Sequence, residues 1–166
     1  IIKEVLKGIA SYIKPNKHLI ISIAAGVKIE DIQALLSIEQ KIIRAMPNTP
    51  ASIQRGVTAL CNNSQTDLVD KNVAEEIFKS VSVTCWLQEA SLDQYTGLIG
   101  SGPAYVFYFI EAMLEASKGL NLEGEDIKSL LIEMIIGSSE LAKMSSDEPS
   151  ILRKKVTSPG GVTERA

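Results

Sequence analysis

An α/β domain followed by an all-helical one is the fold class this sequence predicts, on three observations. Short β-branched runs alternate with helical stretches up to about Leu87. Strand patterns then stop, and the rest has helical spacing. A composition that is 45% apolar over 166 residues supplies enough side chain to bury a core. Alternation of strand and helix implies crossover connections and a largely parallel sheet. The boundary falls near Leu87 or Gln88, which gives domains of 1–88 and 89–166.

Ile2, Val5, Leu6, Ile9 and Ile13 recur at helical spacing, and Pro15-Asn16 ends that helix. His18 to Ile23 suits a strand buried on both faces. Ala24, Ala25 and Gly26 make a small-residue turn, and Ile29, Ile32, Leu35 and Leu36 form the next helical face. Lys41–Met46 and Val57–Cys61 read as strands. Asp67–Ser80 reads as a helix with Val69, Val73, Ile77 and Val81 on one stripe and Asp67 and Asp70 in its first turn, where the helix dipole favours acids. Ser82–Leu87 is the last strand.

Beyond it, Ser91–Gly97 is helical, Gly100-Ser101-Gly102-Pro103 breaks or caps it, and Ala104–Lys118 continues as a helix that is apolar nearly all round. Ile127, Leu130, Leu131, Met134, Ile135, Leu141 and Ala142 follow the i, i+3, i+4, i+7 template, and a short charged helix spans Ser150–Val156. A helix as apolar as 104–118 needs cover, which is expected from a second copy of the chain; the alternative is burial within a complete monomer.

Net charge is −3 with no basic stripe, which argues against nucleic acid as a partner. No apolar run approaches the roughly 20 residues that span a bilayer, so no membrane is expected. Cys61 and Cys85 have no CxxC spacing and are read as buried thiols in a reducing cytosol. One histidine, His18, cannot build a metal site, so no metal is expected. GxSxG, HExxH, Walker and GxGxxG motifs are absent.

Four segments carry chemistry. Ser22–Val27 ends a strand in small residues, where a ring or phosphate can approach the backbone; a tight turn needs the same residues. Arg44–Ala51 brackets Asn48-Thr49 between two prolines, a stiff loop able to hold the Asn48 amide over a ligand or simply to turn. Glu89 and Asp93, at i and i+4, share a face, with Thr96 one turn on; an isolated pair of acids also suits plain solvation. Thr157–Thr163 sets hydroxyls around Pro159-Gly160-Gly161 before a helix start, with free amides for a carboxylate or, alternatively, an ordinary N-cap.

The strings SIAAGV, RAMPNTPA, EASLDQYTGLIGSGPAYVF and VTSPGGVT, in this order, resemble pyrroline-5-carboxylate reductases over essentially the whole chain. That resemblance implies a chain that is the back of a Rossmann-type NAD(P)-binding domain plus most of a helical substrate-binding and dimerisation domain. The implied reaction is reduction of 1-pyrroline-5-carboxylate to L-proline with NADPH or NADH in the cytoplasm. It also implies a homodimer, or a higher oligomer of dimers.

By the same resemblance, Ile23, Ala24, Ala25, Gly26, Asn48 and Lys155 would face the cofactor. Thr96 would lie near the imine and Glu89 near its ring nitrogen. Ser158, Gly160, Gly161, Val162 and Thr163 would hold the substrate carboxylate. Departures are Asp93-Gln94-Tyr95-Thr96 for the usual DAVT, Ile99 where the family has a serine, and Lys155 where some members have Asn; Asp147 or Glu148 loosely fills an acid position before Pro149. The family's glycine-rich start and last helices are missing, so both ends are expected to be cuts and this piece alone inactive. A dehydrogenase of the β-hydroxy acid class and a non-catalytic dimerisation module are the competing readings. The former generally carries a Lys and Asn pair on the long helix, which 104–118 lacks.

Overall fold

The computed structural model describes residues 2–15, 17–36, 39–120 and 126–165, and the expected punctuation at Asn16 lies outside them. Two compact units divide between Val106 and Phe107.

In the first unit, α1 (Ile2–Ile9) leads to β1 (Leu19–Ser22), α2 (Ile29–Leu36), β2 (Lys41–Pro47), β3 (Gly56–Asn62), α3 (Leu68–Lys79), β4 (Ser82–Trp86) and α4 (Leu92–Tyr95). The strands form one sheet in the order β1-β2-β3-β4. β1 and β2 run parallel, as do β3 and β4, but β2 and β3 are antiparallel. The sheet is therefore mixed, which corrects the expectation of a largely parallel one. Only Asn48 to Arg55 link β2 to β3, too few residues for a crossover to a parallel neighbour.

Reversing direction halfway across has a consequence for the helices. Crossover connections keep one hand, so α2 and α3 must fall on opposite faces of the sheet. The buried clusters show this. Leu6, Ile29, Ile32 and Leu36 pack with Ile42, Ala59 and Cys61 on one face, joined by Leu92 and Tyr95. Ile43, Ala45 and Leu60 pack with Ala74 and Phe78 on the other. Burying a side chain such as Ile32 or Leu60 contributes about 1.5–3 kcal/mol.

The Asp67–Asp70 pair forms a full capping box at the start of α3. The expected apolar stripe on α3 is on the wrong side, however: Val69, Val73 and Ile77 are exposed, and Ala74 and Phe78 face the sheet. One aromatic ring filling the space over Ile43 and Leu60 outweighs three β-branched residues in fixing which face turns inward.

The second stage of the first unit is more broken than its sequence spacing suggests. A 3-10 turn covers Glu89–Ser91, α4 follows, and Thr96–Gly100 is a π-turn closed by the Ser101 N–H donating to Thr96 O at 2.7 Å. α5 (Gly102–Ala116) starts one residue before Pro103, the expected first helical position, and ends two residues before Lys118. By length and composition the stretch Glu89–Ala116 could cross a membrane, contrary to the expectation from its sequence, although Leu92 and Tyr95 within it belong to the core.

In the second unit, α6 (Ile127–Met144) is capped by Asp126, which accepts from the Lys128 and Ser129 amides. α7 (Pro149–Lys155) and α8 (Val162–Arg165) follow. No residue of α5, α6, α7 or α8 is buried.

Cys61 is buried, but Cys85 is exposed, against expectation, because it sits on the edge strand β4. Burial, with the Glu89 charge adding to it, pushes the Cys61 thiol up to about 11 from its ordinary 9.0. Burial likewise pushes the Tyr95 hydroxyl up to about 12 from 10.0. That hydroxyl leans on the Ala59 backbone without reaching hydrogen-bond geometry. Both folded pKa values are raised, so the unfolded chain releases these protons first and stability is lost as pH climbs. The melting temperature is expected to hold below about pH 9 and to fall steadily towards about pH 11. Tyr95→Phe removes an unpaired group, so at pH 7 it leaves the melting temperature unchanged or raises it, and with Cys61→Ala it flattens the alkaline slope. A scan of thermal unfolding against pH checks this; an unaltered slope in the double variant would refute it.

Candidate active site in two segments

In the first unit the carboxyl ends of β1 and β2 share one rim of the sheet, since Ser22 pairs with Arg44 in parallel register. Ligands of open α/β sheets lie at such rims. Ile23 is 63% exposed there, Ala25 and Gly26 are exposed, and Gly26 has the positive φ of 72° that turns the chain into α2. Small side chains and an open backbone suit the flat ring of a dinucleotide.

Beside them lies the loop after β2. Asn48 accepts the Val57 N–H on Oδ1 at 2.8 Å and donates from Nδ2 to the Ile99 carbonyl at 3.4 Å. These two bonds pin the proline-bracketed loop to β3 and to the π-turn, and leave the Asn48 amide one further N–H and one further lone pair. A Cβ at Gly100 would lie 3.4 Å from Thr96 Cγ2 and 3.7 Å from Met46 Cε, so the Thr96 corner packs against the end of β2. The Thr96 hydroxyl donates to Leu92 O at 2.7 Å and keeps its lone pairs for another donor. π-turns inside helices are rare and frequently sit at functional sites.

Glu89 is held from two elements. Its Oε1 accepts the Ile29 N–H, at the start of α2, at 2.8 Å and Arg44 Nη1 at 2.5 Å. The Arg44 side chain is 5% exposed and that of Glu89 30%. A cavity of about 320 Å³ is lined by Lys28, Glu30, Arg44, Glu89, Ala90 and Asp93, so Glu89 and Asp93 do share a side although no continuous helix joins them. Arg44 was not singled out from the sequence. The signal was there: a cation inside the apolar strand Lys41–Met46 must be paired if buried.

In the second unit, the turn between α7 and α8 carries the other expected residues. Gly160 has φ 71°, a left-handed conformation, and a Cβ on Gly161 would meet Ser158 O at 2.9 Å, so glycine fits both positions for reasons internal to the turn. The expectation of unobstructed amides is corrected here. The Gly161 N–H donates to Ser158 O at 2.9 Å, and the Gly160 N–H donates to Glu164 Oε2 at 2.5 Å. Glu164 lies in the first turn of α8, where a glutamate reaches back to preceding amides as in a capping box. Ser158, Val162 and Thr163 are exposed, with Val162 and Thr163 at the head of α8, where amides have no intrahelical acceptor. Lys155 is paired with Asp147. A groove of about 650 Å³ runs between α6 and α7, lined among others by Leu141, Ala142, Leu152 and Val156.

A mixed sheet clad on both faces, followed by helices with no buried core of their own, defines a two-part α/β protein with a helical association region. Residues 89–166 match the family described as pyrroline-5-carboxylate reductase dimerisation. The chain is 38% identical to the pyrroline-5-carboxylate reductase of Pseudomonas aeruginosa over 99% of its length, covering 60% of that protein. It is 36% identical to pyrroline-5-carboxylate reductase 2 of Bacillus subtilis, covering 97% of this chain and 57% of that one. Among solved structures, the Coxiella burnetii pyrroline-5-carboxylate reductase superposes with a TM-score of 0.87 at 38% identity, over 99% of this chain and 61% of the other. A Plasmodium falciparum pyrroline carboxylate reductase with NADP bound gives 0.90 at 34% identity, over 98% and 65%. The chain belongs to the pyrroline-5-carboxylate reductase family, and it spans about three fifths of the length of these relatives.

Proposed function

We propose that the protein carrying this chain reduces 1-pyrroline-5-carboxylate to L-proline with NADPH or NADH, the closing step of proline synthesis. The observation that carries this reading is the Thr96 corner packed against the end of β2, the strand that shares a rim with β1 and its open Ile23–Gly26 turn, in a chain related over its whole length to such reductases. Residues 1–88 serve as the back of the NAD(P)-binding domain, and 89–166 as the substrate and dimerisation domain.

A bound nicotinamide would supply the hydride, which goes to the imine carbon while the C=N electron pair moves to nitrogen. Ile23, Ala24, Ala25 and Gly26 border the nicotinamide, and the Asn48 loop sets the height of that rim; Lys155, released from Asp147, reaches the cofactor. Glu89 orients the ring nitrogen as a hydrogen-bond acceptor. The Thr96 hydroxyl lies near the imine. Ser158, Val162 and Thr163 at the head of α8 hold the carboxylate, joined by the Gly160 N–H once Glu164 leaves it, while Gly161, its own N–H kept by Ser158 O, shapes the turn. No covalent nucleophile is required, because a protonated imine is already electrophilic, so catalysis is positioning and electrostatics.

The exposed apolar residues of α5 and α6 are covered by a second copy of the chain, giving a homodimer that assembles further into an oligomer of dimers in the cytoplasm. A helix rich in aromatic residues and carrying Glu111 and Glu115 suits a protein partner better than lipid. The test of the whole reading is stoichiometric conversion: NADPH consumed one for one with L-proline formed by the purified protein. Turnover of a β-hydroxy acid with NADP, and none of the imine, would replace this reading with the alternative dehydrogenase.

A further inference from the structure

Among the described residues of the first unit, Arg44 is the one buried cation, and its hydrogen bond goes to Glu89. Burying a charge is costly unless it is paired, so the position is held by a specific demand. Both donors to Glu89, the Arg44 guanidinium and the Ile29 amide, converge on Oε1, and no hydrogen bond among the described residues engages Oε2. One carboxylate oxygen is therefore fixed by the fold and the other is left for a ligand in the cavity that Glu89 lines.

The pairing also links the two halves of the first-unit site. Arg44 and Met46 are two residues apart on β2 and so point to the same face of the sheet. From that face Arg44 grips Glu89, and Met46 packs beside the Thr96–Gly100 turn. Directly after them the same strand delivers the Asn48 loop.

We propose that Arg44 is a positioning residue, which with the Ile29 amide locks Glu89 Oε1 so that Oε2 accepts from the ring nitrogen of the substrate. This rests on the reductase reading above and assigns Arg44 no contact with substrate. Arg44 meets Glu89 Oε1 with one Nη of a rigid, planar guanidinium, whereas a lysine ammonium is a mobile point charge on a flexible stem, so R44K loosens Glu89 without removing the positive charge.

The test is steady-state kinetics on the active enzyme. E89Q is expected to raise the KM for pyrroline-5-carboxylate about tenfold and to leave the NADPH KM within about twofold. R44K is expected to raise the substrate KM about three- to tenfold with the same split. In the E89Q background, R44K should add no further change, because it acts only through the carboxylate. Ile29→Pro deletes the second donor at a helix position that tolerates proline, gives the same KM split with a smaller rise, and serves as an independent variant should R44K not fold.

Multiplying effects in the double variant, or an R44K that lowers the melting temperature with the substrate KM intact, would overturn the proposal and leave the reductase reading standing. An unchanged substrate KM in E89Q removes both Glu89 and Arg44 from the site. Absence of turnover in the unmodified protein instead counts against the reductase reading itself.

Discussion

Thr163→Ala is expected to raise the KM for pyrroline-5-carboxylate about tenfold or more while the NADPH KM stays within about twofold. Thr163 is the second residue of α8, in the first turn, where both its amide and its hydroxyl are open to a carboxylate. A hydrogen bond to a charged group contributes about 1.5–3 kcal/mol, which is where the expected change comes from. The structure adds the opposite partner. Glu164 already rests a carboxylate on the Gly160 amide, so a substrate carboxylate must displace it. Glu164→Ala should therefore lower the substrate KM by about two- to fivefold, since the competent arrangement no longer has to be released from an internal contact. Opposite shifts from adjacent residues cannot come from general loosening of the turn. Titration with L-proline provides the same comparison without turnover. An unchanged substrate KM in Thr163→Ala takes Thr163 out of the site, and a raised KM in Glu164→Ala makes Glu164 a support of the turn and not a competitor.

Phe109→Glu is expected to split the dimer. Phe107, Tyr108 and Phe109 are 62%, 72% and 54% exposed on a helix whose residues step about 100° apart, so aromatic surface points to widely separated directions around α5. Leu130, Met134 and Leu141 are likewise exposed on α6. Water is a poor neighbour for so much contiguous apolar surface, and a second copy is the cover proposed above. A two-fold interface carries every substitution twice. Two unpaired carboxylates buried at once should raise the dissociation constant at least about hundredfold, turning a dimer into a monomer at micromolar concentration. Sedimentation velocity or light scattering decides it. A variant as dimeric as the parent would exclude Phe109 from the interface; Val73→Glu on exposed α3 is the control and should leave the mass unaltered.

Much of the fold was legible because strands and helices announce themselves by local period. Lys41–Met46 reads as a buried strand, and β2 is one. The Asp126 cap of α6 was not singled out from the sequence, but the acids Asp67 and Asp70 mark the start of a helix by their charge, and the structure makes Asp67 the N-cap of a capping box. The turn residues at Gly26 and Gly160 were legible for the same reason, since a left-handed backbone admits little else. Other features required long-range information. Val69, Val73 and Ile77 and, competing with them, Ala74 and Phe78 give α3 two plausible inward faces, and the space over Ile43 and Leu60 selects the second. The direction of β3 was readable in principle from the short link after β2, although the alternating pattern pointed elsewhere.

By itself, then, the sequence determined the order and type of the elements, the glycine-dependent turns and the motifs that mark the family. Each of these depends on the conformational preferences of a few neighbouring residues. The tertiary structure decided which partner each charged or amide group finds: Arg44 with a glutamate 45 positions away, Asn48 with Val57 and Ile99, and Gly160 with Glu164. Such pairing is set by the cost of leaving a polar group unsatisfied where strands and turns happen to converge, and that convergence exists only once the chain has folded.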